Sequence, residues 1–215
     1  MSNQHHETAA EAIDWRTPPD FLAAVRETFR GPIELDPCAA VDPQHHFALE
    51  NWNLPHKDAL RDPWLYAGRP ARWFLNPPFG NSYVLPDGTV LGAAEYKALR
   101  QQEPLRAKEA RPQNLFDFAT RACFEASREG AEGVWLARAS LESKAGQWLL
   151  NGASAVLLPE GRVAYINAAT NEVEKQPKFA SCAFYFGPHP DRFARAFKGW
   201  GVVLDCRIGR GRLAA

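Results

Sequence analysis

Asn76-Pro77-Pro78-Phe79 follows an apolar run, Trp73-Phe74-Leu75, in the segment RWFLNPPFGN. Asparagine offers a side-chain carbonyl oxygen as an acceptor. Pro77 has no N–H but keeps its carbonyl, and the following Pro78 biases it toward an extended shape, which holds that second acceptor in one direction. Two fixed acceptors side by side suit an amino group with two hydrogens, and Phe79 adds a flat apolar face. The set describes a pocket for a planar ring bearing an exocyclic NH2. Such an amino group, as in adenine, is a poor nucleophile because its lone pair is delocalised into the ring. Acceptors pulling on its hydrogens favour a pyramidal nitrogen with a free lone pair, and they help most when they strengthen toward the transition state. Asparagine is not a general base, so it acts by acceptance and alignment, and the proton leaves after transfer, from a cationic nitrogen. Stacking on Phe79, worth roughly 1–3 kcal/mol, offsets on the order of a few kcal/mol for extruding a base from a duplex. The plain alternative for these four residues is a turn after a strand, and any exocyclic amine on a planar ring fits the pocket.

Three further places carry polar groups at element ends. In ELDPCAA, the carboxylate of Asp36 ends a short apolar stretch beside a proline turn, where it can hold the amine or hydroxyls of a cofactor, and the small Ala39 and Ala40 let a ligand approach the backbone. Asp58, in HKDAL, is a second acid of that kind. Each also fits a cap or a surface charge. Trp15 and Thr17, in DWRTPPDF, stand just before a helix start, whose free N–H groups suit a carboxylate, and Thr17 reads as the helix cap. His45, His46, His56 and Cys38 match no familiar zinc spacing.

These residues need a scaffold, and the hydrophobic pattern supplies one. TPPDFLAAVRETFRG predicts a helix closed by Gly31, with prolines in its first turn. PIELD and RWFL predict short buried strands. LFDFATRACFEASREG reads as a helix, GVWLARA as a strand, and SKAGQWLLNG as a helix. AVLLPEGRVAYIN, KFASCAFYFG and GVVLDCRIG follow as strands with turns. The alternation predicts an α/β protein with parallel strands at the centre of a mixed, mostly parallel sheet and antiparallel strands at one edge. In such sheets ligands bind at the carboxyl ends of the strands where the chain order reverses, which is where Asp36 and Asn76 fall. Residues 1–12 read as a disordered tail and 13–215 as one domain. Residues 80–113 interrupt that domain as a polar insertion with a Pro-Asp-Gly turn and a short amphipathic helix, in the place of a lid or target-recognition element.

The chain has 215 residues and zero formal net charge, with 11 Lys and Arg against 15 Asp and Glu over 1–110 and 14 against 10 over 111–215. An even balance argues against a protein that only coats nucleic acid, whereas polarisation leaves a basic face for phosphates. Arg100, Arg106, Lys108 and Arg111 are candidates for such contacts, tempered by Glu103 and Glu109. No apolar run is long enough for a membrane span. Four dispersed cysteines and a polar N-terminus without an apolar signal core point to a cytosolic protein with reduced thiols.

As a set, WRTP, ELDPCAA, DAL…PW and FLNPPF, followed by LLPEGRVAYI and FASCAFYF, resemble the phage-type DNA N-6-adenine methyltransferase family over about residues 14–187, except 80–113. The resemblance implies a Rossmann-like class I methyltransferase fold, S-adenosylmethionine as methyl donor, adenine N6 in DNA as acceptor, and a bacterial or phage-infected host cytoplasm. It implies that Asn76 and Pro77 accept the amino hydrogens, that Phe79 stacks on the flipped base, and that Pro78 lies on the DNA side. Asp36 and Pro37 fall in the cofactor pocket, Asp58 near the cofactor's adenosine, and Trp15, Thr17 and Pro18 complete that side. The glycine-rich loop of most methyltransferases is absent, and DPCAA stands in its place. Cytosine N4 methylation and a catalytically inactive DNA-binding module of the same fold are the alternatives.

Overall fold

A computed structural model describes residues 15–40, 42–77, 81–167, 170–175, 177 and 179–207. The chain opens with strand β1 (Trp15–Arg16) and helix α1 (Pro19–Phe29). Phe21, Leu22, Val25 and Phe29 recur at helical spacing on the buried face of α1. The helix stops where Arg30 turns left-handed (φ 51°) and the N–H of Gly31 returns to the Arg26 carbonyl. Thr17 is not its cap. Pro18 occupies the cap position, and the first-turn N–H of Phe21 is met by Asp20 instead.

Strands β2 (Leu35–Asp36), β3 (Glu50–Asn51), β4 (Leu65–Tyr66), β5 (Arg69–Pro70) and β6 (Arg72–Leu75) follow, with a 3-10 turn at Pro43–His45. Next come β7 (Ser82–Val84), β8 (Val90–Gly92), α2 (Ala93–Gln102), α3 (Pro104–Lys108) and β9 (Arg111–Gln113). The second half runs α4 (Leu115–Ala126), β10 (Glu132–Arg138), α5 (Lys144–Gly152), β11 (Ala155–Pro159), β12 (Tyr165–Asn167), β13 (Val173–Glu174), β14 (Ser181–Phe186), α6 (Pro190–Ala196) and β15 (Gly201–Asp205).

Seven strands form one mixed sheet in the order β15-β11-β14-β10-β6-β2-β3. β3, β2, β6 and β10 run parallel, whereas β14, β11 and β15 are joined by antiparallel pairings. The antiparallel part is therefore half of the pairings, more than an edge. Strand periodicity sorts the core into two faces. Trp73, Leu75, Trp135 and Phe184 pack under α4 and α5. Phe74, Val134, Leu136 and Tyr185 pack under α1 and α6. Gly133 stands opposite Trp73, and any Cβ there would lie 2.1 Å from the indole, so glycine makes room for that ring.

The apolar segment 155–167 forms two strands in different sheets. The chain turns at Gly161 (φ 80°), and β12 leaves the main sheet to pair with β1 and β13. The described residues 81–113 form a folded lobe with a three-stranded sheet, β8-β7-β9, carrying α2 and α3, and Tyr83 stacked on Tyr96 at 3.7 Å. Helix α6 was not signalled by a long period, yet Pro190 at its first position and buried Phe193 mark it. Among the described residues no helix is long and apolar enough to cross a membrane.

Candidate functional site

The chain passes from β2 outward to β3 and then back to β6 on the other side of β2. Strand order thus reverses between β2 and β6, and a crevice is expected beyond their carboxyl ends. A cavity of about 570 Å³ lies there, within the range of roughly 300–1,000 Å³ typical of small-molecule sites. Trp15, Thr17, Asp36, Pro37, Asp58, Asn76 and Pro77 all line it, so seven residues singled out from the sequence converge on one space. Pro18 does not. It is buried at the start of α1 and faces a separate groove, while its neighbour Pro19 lines the cavity. Pro78 and Phe79 lie outside the described residues.

Asn76 is held by the chain's N-terminal strand. Its Nδ2 donates to the hydroxyl of Thr17 (3.2 Å) and to the carbonyl of Trp15 (3.4 Å). The Trp15 carbonyl can only accept, so the amide must turn its NH2 toward it, and this fixes Oδ1 on the other side. Oδ1 is buried and among the described residues has no hydrogen-bond partner. Among the described residues no donor is bonded to the Pro77 carbonyl either. Buried acceptors are nearly always satisfied, so a buried orphan at a cavity wall marks a place for a donor.

Asp36, 4% exposed, receives one backbone N–H, from Cys38 (3.0 Å). Burial dominates, and it pushes the carboxyl up to about 7 against the opposing pull of that hydrogen bond. Burial likewise pushes the Cys38 thiol up, with the charges of Asp36 and Asp58 adding to it, so Cys38 is not a poised thiolate. Asp58 accepts from the Leu60 N–H and from Arg111 of the lobe. Arg111 is therefore turned inward, whereas Arg100, Arg106 and Lys108 are exposed on α2 and α3, with Arg106 paired to Asp87 and Glu103. A second contact fixes the lobe over the cavity, for a Cβ on Gly88 would strike Pro55 at 2.3 Å.

Further lining residues carried no signal of their own in the sequence. Phe47, Trp52, Leu22 and Phe118 give aromatic and apolar walls. Arg16 donates to the His45 ring (2.8 Å) and to Asn171. Gln113 reaches the cavity from the lobe, at the end of a short strand just before the capping Asn114. That position, a polar residue closing a strand, repeats the pattern of Asp36 and Asn76 and was readable in principle. His46 is bonded to the Ala40 carbonyl, and among the described residues no three His, Cys, Asp or Glu side chains converge on a metal position.

Chemically, the cavity offers aromatic walls around two strand ends, with, among the described residues, two unpartnered acceptors at one and a buried acid without a cation at the next. Comparison of the chain with family models, with curated proteins and with solved structures returned no match.

Proposed function

We propose that the protein is a Rossmann-like, S-adenosylmethionine-dependent DNA methyltransferase acting on the N6 amino group of a flipped adenine. The observation that carries this reading is the buried, unpartnered Oδ1 of Asn76, aimed by Trp15 and Thr17 and set beside the free carbonyl of Pro77. The reversal of strand order beside Asn76 and Asp36 supports it, because that is where α/β sheets bind such ligands.

The cavity fits the donor. S-adenosylmethionine supplies an electrophilic methyl group when bound, on a cation that also carries an amine, ribose hydroxyls and a purine. A buried acid near neutrality, Asp36, suits the cationic part, because a cation beside it favours its ionised form. Trp52 and Phe47 suit the purine, and Asp58 the hydroxyls.

On the acceptor side Asn76 Oδ1 and the Pro77 carbonyl take the two amino hydrogens. These bonds strengthen as the nitrogen gains positive charge, so they favour the transition state over the ground state. Neither group is a base, and the proton passes to solvent after transfer, when the nitrogen is acidic.

The test is incubation of the full chain with DNA and methyl-labelled S-adenosylmethionine, followed by digestion to nucleosides and mass analysis. Label in N6-methyladenine, lost in Asn76→Ala, is expected. Label in N4-methylcytosine would reassign the base. Label retained in Asn76→Ala would remove the proposed role of Asn76. Salt-sensitive DNA binding without transfer, and without thermal stabilisation by S-adenosylmethionine, would identify a binding module instead.

A further inference from the structure

Gln113 and Ser82 are both buried, at 5% and 3% exposure, and they face each other in the β7–β9 register. Gln113 Nε2 donates to Ser82 Oγ at 2.9 Å. Among the described residues this is the only hydrogen bond to the Gln113 side chain. One amide N–H and the carbonyl oxygen therefore remain, on a side chain that lines the same cavity as Asn76. Ser82 stands six residues beyond Asn76 in the chain, and its partner Gln113 lines the cavity that Asn76 and Pro77 line. Its strand is tied down at the other end by Arg111 on Asp58, and Phe118 lines the cavity one turn into the following helix. A buried amide, held by a hydroxyl and half unused at a cavity wall, is an arrangement for reading a ligand.

We propose that Gln113 is a specificity-determining residue that donates its free N–H to the ring nitrogen adjacent to the reacting amino group. This rests on the methyltransferase reading and extends it to the acceptor's ring. Adenine carries an acceptor nitrogen, N1, beside its amino group, and cytosine carries N3 beside its own. Guanine and thymine present the reverse, a ring N–H beside a carbonyl, and would leave the N–H of Gln113 facing another donor. Asn76 and Pro77 thus select for an amino group, and Gln113 selects for its neighbour. A site built to hydrogen-bond a substrate group rejects an analogue lacking it, because the protein's own polar group is left unpaired.

The experiment compares transfer to a DNA containing adenine with transfer to the same sequence made with 1-deazaadenine, which keeps the amino group and lacks the ring nitrogen. Wild type and Gln113→Met are each assayed on both. Wild-type kcat/KM is expected to fall about 10-fold on the analogue. Gln113→Met is expected to be about 10-fold slower on adenine, with no further fall on the analogue. The double difference cancels any change the analogue makes to the amino group's own reactivity. If Gln113→Met does not fold, Gln113→Glu keeps the side-chain length, loses the N–H donors, and is expected to show the same loss of discrimination. A variant that loses as much on the analogue as wild type does overturns the inference and leaves Gln113 a structural partner of Ser82. Equal wild-type rates on both DNAs also overturn it, with the methyltransferase reading intact. No transfer by wild type to any adenine-containing DNA overturns that reading, and this inference with it.

Discussion

Glu34 and Asp36 are buried acids two residues apart, and they have opposite fates. Glu34, 1% exposed, takes hydrogen bonds from Nη1 and Nη2 of Arg69, from Nε and Nη2 of Arg72, and from the Arg72 backbone N–H. Burial works to raise its pKa, but those partners outweigh it and hold the carboxyl at about 2. Asp36 has no such cation, and burial pushes it to about 7. The first acid sits at the amino end of β2, where it joins β2 to the start of β6. The second sits at the carboxyl end, on the cavity. A buried acid supplied with its cations ties β2 to β6, and in the proposed function one left without them takes a cation from outside. The two ends of the same strand pair thus divide stability from chemistry.

The largest effect expected is at the chemical end. Asn76→Ala should lower the transfer rate about 100- to 1,000-fold, the size seen when an oriented transition-state partner is removed. Its folding stability should fall by only about 1 kcal/mol, for the hydrogen bonds to Trp15 and Thr17. Single-turnover kinetics and denaturant melts measure the two. The structural end should behave in reverse. Glu34→Gln leaves two guanidinium groups without their carboxylate and should cost about 3 kcal/mol of stability, while S-adenosylmethionine affinity of the folded protein, read by calorimetry, stays unchanged. A Glu34→Gln protein that is stable but cannot bind the cofactor would break the division.

This division was half legible in the sequence. Strand β6 and Asn76 stood out because an apolar run ends abruptly on an amide followed by prolines, a local pattern. Asp36 stood out for the same reason. Glu34 did not, because its meaning comes from Arg69 and Arg72, more than thirty residues on, which the pairing of β2 with β6 brings to it. Thr17 looked like a cap because Thr-Pro-Pro opens many helices, but Pro18 takes the cap position and frees the threonine hydroxyl to orient Asn76. Residues 155–167 read as strand with a turn, but nothing in the sequence told that beyond Gly161 the chain joins a second sheet with β1 and β13. Gln113 closes a short strand as Asp36 and Asn76 do, but its partner Ser82, which holds it at the cavity, lies across the whole lobe and gives no local signal.

A pH series sharpens the comparison further. The carboxyl of Glu34 is lowered on folding, so its contribution is present above 4.5 and is lost as the pH falls toward 2. Asp36 is raised on folding, and the sign is the opposite. Between 3.8 and about 7 the folded state binds the proton more tightly than the unfolded state. Stability therefore falls as pH rises through that window and stays low above it. Asp36→Asn removes the fall, and should be more stable than wild type by roughly 4 kcal/mol at pH 8 with little difference near pH 4. The same substitution should weaken binding of the cationic cofactor. A variant that is more stable and binds less well identifies Asp36 as a charge kept for a ligand, because a purely structural acid would lose stability when neutralised.

The smallest effects belong to the lobe, where the same contrast between paired and unpaired charges recurs at the surface. Arg106 has Asp87 and Glu103, and Arg111 has Asp58. Arg100 and Lys108 are exposed with no carboxylate partner among the described residues. A cation already paired releases fewer counterions when a phosphate arrives, so the free pair should carry the salt dependence of DNA binding. Removing one cation that neutralises a phosphate should reduce the slope of log K against log salt by about 0.9. Arg100→Ala and Lys108→Ala should each approach that change, and Arg106→Ala should fall clearly short of it. Fluorescence anisotropy with labelled duplex across a salt series measures all three. Equal slopes in every variant would separate the lobe from the DNA backbone and leave it the role of a cavity wall, carried by Val90 and Gln113.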